Sequence, residues 1–248
     1  MATPRFGDAL GHGMTDKRIE ILRGIGRSGS ISQAAREAGV SYKAAWQAIA
    51  TLTNLAGVPL VERAVGGAGG GGATLTRDGR QLLALADADA VVRRGLQSQG
   101  GAASAVARLS IRTSMRNQLP ATIDALEGTG RIVRVRMSLP GGAHLAARIT
   151  QESAELLGLV EGMTAIALCK ATAVKVERVD GGRPARGNRL HGTVAKVARG
   201  DGADEISVAL TGGELRLVGF AQGEGALRTR QRVTARVDEA AVVVALPG

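Results

Sequence analysis

Apolar positions recur along the chain with two different periods, and the change between them divides it. Over Asp16–Arg27, Ile19, Leu22 and Ile25 recur at spacing three, the stripe of an amphipathic helix that Ser28-Gly29 ends. Ser30 and Gln33 read as an S-x-x-Q capping box at the start of a second helix, where Ala34, Ala35 and Ala38 are small enough for close packing. Gly39 stands where a left-handed C-cap is needed, Val40 can plug the turn, and Ser41 caps a third helix. In that helix Ala45, Ile49 and Leu52 form the buried stripe, while Tyr42, Lys43, Trp46 and Gln47 fall on the opposite, exposed side. Two short strand-like runs follow, Leu60–Arg63 and Thr74–Thr76, on either side of a glycine-rich stretch. Asp78 then opens a helix through Leu82, Leu83, Leu85 and Val92.

Beyond a Gly/Ala/Ser linker at Gln97–Ala107 the period drops to two. Leu109–Ile111, Ala121–Leu126, Arg131–Leu139, Leu145–Thr150, Thr164–Lys170 and Thr172–Val176 read as strands. Leu139-Pro-Gly-Gly142 is a hairpin turn, and Gln151–Leu157 a short helix closed by Gly158. The order then repeats. Asn117, Leu119, Thr122 and Ile123 have counterparts Asn188, Leu190, Thr193 and Val194, all 71 positions later, and Leu210-Thr-Gly-Gly213 repeats the turn. Two repeats of about 60–70 residues predict duplicated OB-like barrels. The expected fold class is α+β: a winged helix-turn-helix DNA-binding and dimerisation domain with its linker at 1–105, a first β-barrel at 106–180 and a second at 181–248.

Helix-turn-helix and strand–glycine turn–strand together make a winged helix, whose third helix offers Ser41, Tyr42, Lys43, Trp46 and Gln47 to a major groove. The bland alternative is a helical hairpin with a solvated face, but it leaves an exposed Trp beside Lys and Gln unexplained. Arg63 and Arg77 flank the wing, where they can meet phosphates. A nucleotide-binding loop is excluded, because no Gly-Lys-Ser/Thr follows the glycines, and a dinucleotide fingerprint is excluded because they precede a strand. The polar start of the β half, Ser114 and Arg116, does not recur: Ala185 and Gly187 stand in its place. A guanidinium with a hydroxyl suits an oxyanion, although a surface arginine beside a strand-start serine reads the same way.

The net charge of +10 over 248 residues points to anionic partners without specifying a fold. With 2% aromatic residues the cores must be aliphatic. Cys169 is the single cysteine, so no intrachain disulfide forms, and it reads as a packed strand residue in a reducing compartment. His12, His144 and His191 lack metal-ligand spacing, so no metal cation is expected. With no apolar run in Met1–Gly13 and no stretch of ~20 apolar residues, neither a signal peptide nor a membrane span is expected, and the location is cytoplasmic. No nucleophile–base pair or paired carboxylates appear at useful spacing, so no enzyme is expected.

Ser-Gly-Ser-Ile-Ser-Gln-Ala-Ala (28–35), Ala-Gly-Val-Ser-Tyr-Lys-Ala-Ala-Trp (38–46) and the glycine-rich segment 61–73 resemble the DNA-binding half of molybdate-responsive transcriptional regulators of the ModE type. Thr-Ser-Met-Arg-Asn-Gln-Leu (113–119) is similar to the Ser-Ala-Arg-Asn-Gln signature of molybdate-binding Mop (TOBE-like) domains. The resemblance spans nearly the whole chain. It implies a homodimer on two-fold operator DNA, often as a repressor, with molybdate held between the β-domains of two subunits. The implied anion contacts are Ser114, Arg116, Thr150, Ser153, Lys170 and the backbone of Ala171. Met115 replaces the usual Ala, and Ala173 stands where an aromatic is common. All the side chains are donors, which suits an acceptor-only tetrahedral dianion; a protonated phosphate fits worse, and tungstate should be accepted. At offset 71, and 70 for Lys170 because Met163-Thr-Ala165 matches Val233-Thr-Ala235 with one residue deleted, the second repeat offers Ala185, Gly187, Ala221, Glu224 and Ala240, so one site per chain is expected, unless Arg228, Arg230 and Arg232 build another. The alternatives are an intracellular molybdate or tungstate buffer without regulatory role, or a transporter ATPase subunit. The winged helix argues against the first and the missing nucleotide motif against the second.

Overall fold

The computed structural model describes residues 17–64, 72–97, 113–179, 187–221 and 227–246. They form two compact units, a helical one that includes Gln151–Leu159 and a β unit made of the remaining residues from 113 to 246. The expectations for the N-terminal fourteen residues, the wing tip, the linker, Leu109–Ile111, Ala185 and Glu224 lie outside the described residues.

In the helical unit α1 (Lys17–Ser28), α2 (Ile31–Glu37) and α3 (Tyr42–Ala56) pack around Ile21, Ile25, Ile31, Ala34, Ala45 and Ile49. Ser30 accepts the Gln33 amide and Ser41 the Ala44 amide, so both N-caps form as expected. The reciprocal half of the capping box does not: the Gln33 amide group donates to Glu37 and its oxygen accepts from Arg36. Gly39 at φ +65° turns the chain between α2 and α3. The wing strands β1 (Val61–Ala64) and β2 (Gly72–Leu75) pair antiparallel. The next helix, α4 (Arg77–Gln97), starts one residue before Asp78, and its Leu82 joins a second cluster with Leu22, Leu52 and Leu60.

The β unit holds two five-stranded sheets. One runs in the order β12-β6-β3-β4-β5, from Val243–Ala245, Thr164–Cys169, Asn117–Thr129, Ile132–Ser138 and His144–Thr150. The other is a closed barrel in the order β10-β7-β11-β8-β9, from Arg216–Ala221, Lys175–Arg178, Arg232–Val237, Asn188–Ala198 and Asp204–Leu210. Each repeat lends its last strand to the other: β7 closes the second barrel and β12 extends the first sheet. The predicted strand Thr172–Val176 is instead a 3-10 turn, Ala171–Ala173, followed by β7. The strand read as Ala121–Leu126 extends back to Asn117. Pro120 masked its start. It sits where β3 has only β6 beside it, because β4 pairing begins at Thr122, so its missing N–H leaves no gap in a two-sided ladder.

A pseudo-two-fold arrangement relates the halves. The Asn117 side chain donates to the Val218 carbonyl and accepts from the Val218 amide, and Asn188 makes the same pair of bonds to Ala146. The two hairpin turns meet back to back. A Cβ on Gly141, at φ +93°, would lie 2.4 Å from the Gly212 oxygen, and one on Gly212 2.1 Å from the Gly141 oxygen. Only glycine fits both the dihedral and the space.

Candidate functional site

Helix α3 keeps Lys43 and Gln47 exposed on one face, with Ala44, Ala45, Ala48, Ile49 and Leu52 buried behind them. Tyr42 is 53% exposed and meets Trp46 edge-on, ring centroids 6.3 Å apart. Trp46 itself departs from expectation. It is half-buried and packs against the three-helix core, because its indole is large enough to reach from the flank of the helix to the apolar stripe. Arg63 lies on β1 opposite Ala73, and Arg77 is exposed at the start of α4.

The short helix α5 (Gln151–Leu157) closes at Gly158, as the sequence predicts. It packs in the helical unit through Leu156. Its acids hold the beginning of α3: Glu152 Oε1 lies 2.5 Å from Lys43 Nζ, and the Ser41 amide donates to Glu155 Oε2 at 2.8 Å. The Lys43 side chain remains 68% exposed in this pair. Ser153, half-buried, sits between the two acids in sequence, and Thr150 ends β5 just before the helix.

In the β unit the β3–β6 register pairs Asn117 with Cys169. Ser114 and Arg116 therefore lead into the same end of the ladder from which Lys170 and Ala171 leave. Ser114, Arg116 and Lys170 are exposed, Met115 is half-buried, and Ala171 is buried at the start of the 3-10 turn. Thr150 is not part of this ladder end; it pairs with Ile132 on the far side of β4. Arg116 donates to Glu205 Oε2 at 2.5 Å, a partner that sequence reasoning missed. Burial pushes the neighbouring Cys169 thiol above its ordinary pKa, partly offset by the Asn117 side chain.

The register also corrects the alignment of the repeats. Val237 pairs with Asn188 as Cys169 pairs with Asn117, so β11 follows β6 by 68 positions and Lys170 corresponds to Asp238, not Ala240. The second turn is one residue longer, closing Leu210 on Leu215 where the first closes Leu139 on Ala143. The counterparts of Thr150 and Ser153 therefore become Gln222 and Gly225, outside the described residues, rather than Ala221 and Glu224. Arg134, the counterpart of Glu205, is held by Glu239 through three hydrogen bonds of 2.8–3.0 Å and by Glu127. The Glu239 and then the Glu127 carboxylates raise its pKa further.

A helical unit with a capped helix-turn-helix and wing, joined in sequence to a β unit of a five-stranded sheet and a closed barrel with a basic ladder end, defines a DNA-binding regulator with an anion-binding β part. The comparisons agree. The lysR-family bacterial regulatory helix-turn-helix matches residues 17–80 and the TOBE domain residues 113–176. The chain is 40% identical to the transcriptional regulator ModE of Yersinia pestis, covering 79% of this chain and 78% of that protein. It is 36% identical to the DNA-binding transcriptional dual regulator ModE of Escherichia coli K12, covering 92% of each. The crystal structure of the cytoplasmic molybdate-binding protein ModG with molybdate bound superposes with a TM-score of 0.52 at 30% identity, covering 55% of this chain and all of that one. The chain belongs to the ModE family of transcriptional regulators.

Proposed function

We propose that this protein is a cytoplasmic, molybdate-sensing transcriptional regulator that binds operator DNA as a homodimer and assigns no residue to catalysis. Residues 1–105 read DNA and dimerise, and the barrels from 106 onward hold the anion. Ser114, Arg116, Thr150, Ser153, Lys170 and the Ala171 amide are the anion contacts. Ser41, Tyr42, Lys43 and Gln47 face the major groove, the half-buried Trp46 flanks them from the helix core, and Arg63 and Arg77 meet the phosphates. Tungstate is accepted as well. Among the described residues no helix is long and apolar enough to cross a membrane.

One observation supports the coupling. A two-turn helix carries Ser153 and, on either side of it, the carboxylates that hold Lys43 and the α3 N-terminus. An anion that draws on Ser153 competes with those contacts, and DNA phosphates compete with Glu152 for Lys43. Anion and DNA thereby favour the same state, which is the differential contact that allostery requires. An anion store is the second reading, supported by a molybdate-binding protein whose whole length matches part of this chain. Titrating the full-length protein with sodium molybdate, with and without a duplex selected by the protein from a random pool, tests both. The regulator requires that molybdate and DNA alter each other's affinity; binding of molybdate that is indifferent to DNA leaves only the store.

A further inference from the structure

The two halves carry one locus with opposite charge. At the ladder end of the second half, Arg134 reaches over from β4 of the first half to Glu239, beside the positions of Asp238 and Gly187; at the ladder end of the first half the counterparts are Glu205, from β9 of the second half, Ala171, Lys170 and Arg116. In the second half the chain supplies its own anion. The Glu239 side chain, 15% exposed, meets Arg134 with both carboxylate oxygens from the position that Ala171 occupies in the first half. In the first half Glu205 meets Arg116 through a single guanidinium nitrogen, and the two side chains are 32% and 55% exposed. The Arg134 side chain is 42% exposed, so the Arg134–Glu239 pair is the more enclosed and more fully bonded, and the Arg116–Glu205 pair the more open.

We infer that Glu205 is a resident counter-ion which an incoming tetrahedral oxyanion must displace from Arg116, and that it thereby sets the affinity of the site and its rejection of monovalent anions. The inference rests on the reading of Arg116 as an anion contact. A carboxylate brings one charge and two acceptor oxygens to the guanidinium. A tetrahedral dianion brings two charges and four oxygens, enough to reach Lys170 and the hydroxyls as well. A monoanion gains little over the carboxylate already in place. Glu205 therefore raises the threshold for all anions equally, and only those with enough acceptor oxygens to take bonds from several donors cross it. Its position on β9, opposite Phe220, fixes it in a strand, so its competition does not depend on a mobile loop.

Calorimetric titration of the full-length protein with sodium molybdate, and in parallel with sodium chloride competition at constant ionic strength, tests this. Glu205→Gln keeps size and hydrogen bonding and removes the charge. It should bind molybdate about two- to fivefold tighter, the factor that losing an exposed ion pair allows. It should also become more sensitive to chloride. Asp201→Asn, which neutralises an exposed acid elsewhere on the same barrel, should leave both unchanged. Glu205→Thr suits a strand and supplies a second variant if the amide folds poorly. Unchanged or weaker molybdate binding in the Glu205 variants, with Arg116→Ala binding lost, overturns the counter-ion and leaves the site. Arg116→Ala that binds molybdate as wild type does overturns the site reading, and the counter-ion with it.

Discussion

Asn117 and Asn188 are among the few buried polar side chains, 1% and 7% exposed, and each satisfies both the amide and the carbonyl of one residue in the other half. Replacing either by alanine strands two backbone groups, buried at Ala146 and part-buried at Val218. At about 1–3 kcal/mol for each fully buried unsatisfied group, and less at the part-buried Val218, Asn117→Ala should cost ~2–4 kcal/mol in urea unfolding of the full chain. A loss under half a kcal/mol would show that water or a backbone shift replaces the side chain. The repeat marked these asparagines as paired positions, but their role was hidden, because Asn117 and Val218 are 101 residues apart. Trp46 differs from its predicted exposed side for a related reason: a helical wheel places Cα positions, and an indole reaches well beyond its own. Lys43 and Gln47 keep the exposed face that spacing alone assigned them. Lys43→Ala and Gln47→Ala should each weaken specific DNA binding by ~1–3 kcal/mol if they meet base edges. Both variants retaining the wild-type ratio of specific to random DNA binding would remove α3 as the reader.

Among the elements, α5 was legible in outline and illegible in purpose. Its bounds follow from the pattern between Thr150 and Gly158, yet Glu155 and Ser41 are separated by 114 residues, and no periodicity reports such a contact. Neutralising its acids tests what it does. Glu152→Gln and Glu155→Gln should raise DNA affinity in the absence of molybdate by a few fold, since Lys43 and the α3 N-terminal amide are released from carboxylates. The gain should shrink when molybdate is added. A gel shift at fixed salt reads this directly, and fixed salt matters because phosphate contacts weaken steeply as salt rises. Unaltered binding by both variants would mean that DNA ignores α5. The strand starting at Asn117 and the 3-10 turn at Ala171 were harder to see, because Pro120 and a run of alanines and threonines carry little period-two signal.

Across the whole molecule, period-two patterning finds the strands but not their sheets. Thr172–Val176 reads as the closing strand of its own repeat, yet β7, the strand formed there, lies in the sheet of the second repeat, and β12 lies in that of the first. Strand exchange of this kind leaves no trace in local patterning, because a strand of three or four residues looks the same in either sheet. The exchange makes the two halves one folding unit and lets them diverge in charge. At the register-corrected positions Gly187 replaces Arg116 and Asp238 replaces Lys170. There a dianion would meet the carboxylates of Asp238 and Glu239, the latter already paired with Arg134, so calorimetry should give one molybdate per chain. Two per chain would require a second site of different composition. The measurement that bears most directly on the central claim, that the anion governs DNA binding through Arg116, is a gel-shift titration of the selected duplex at fixed salt. Wild type and Arg116→Ala are compared with and without molybdate. Molybdate should strengthen complex formation by the wild-type protein, while Arg116→Ala keeps the anion-free affinity and does not respond. A wild-type protein indifferent to molybdate, or an Arg116→Ala protein that responds as wild type does, would contradict it.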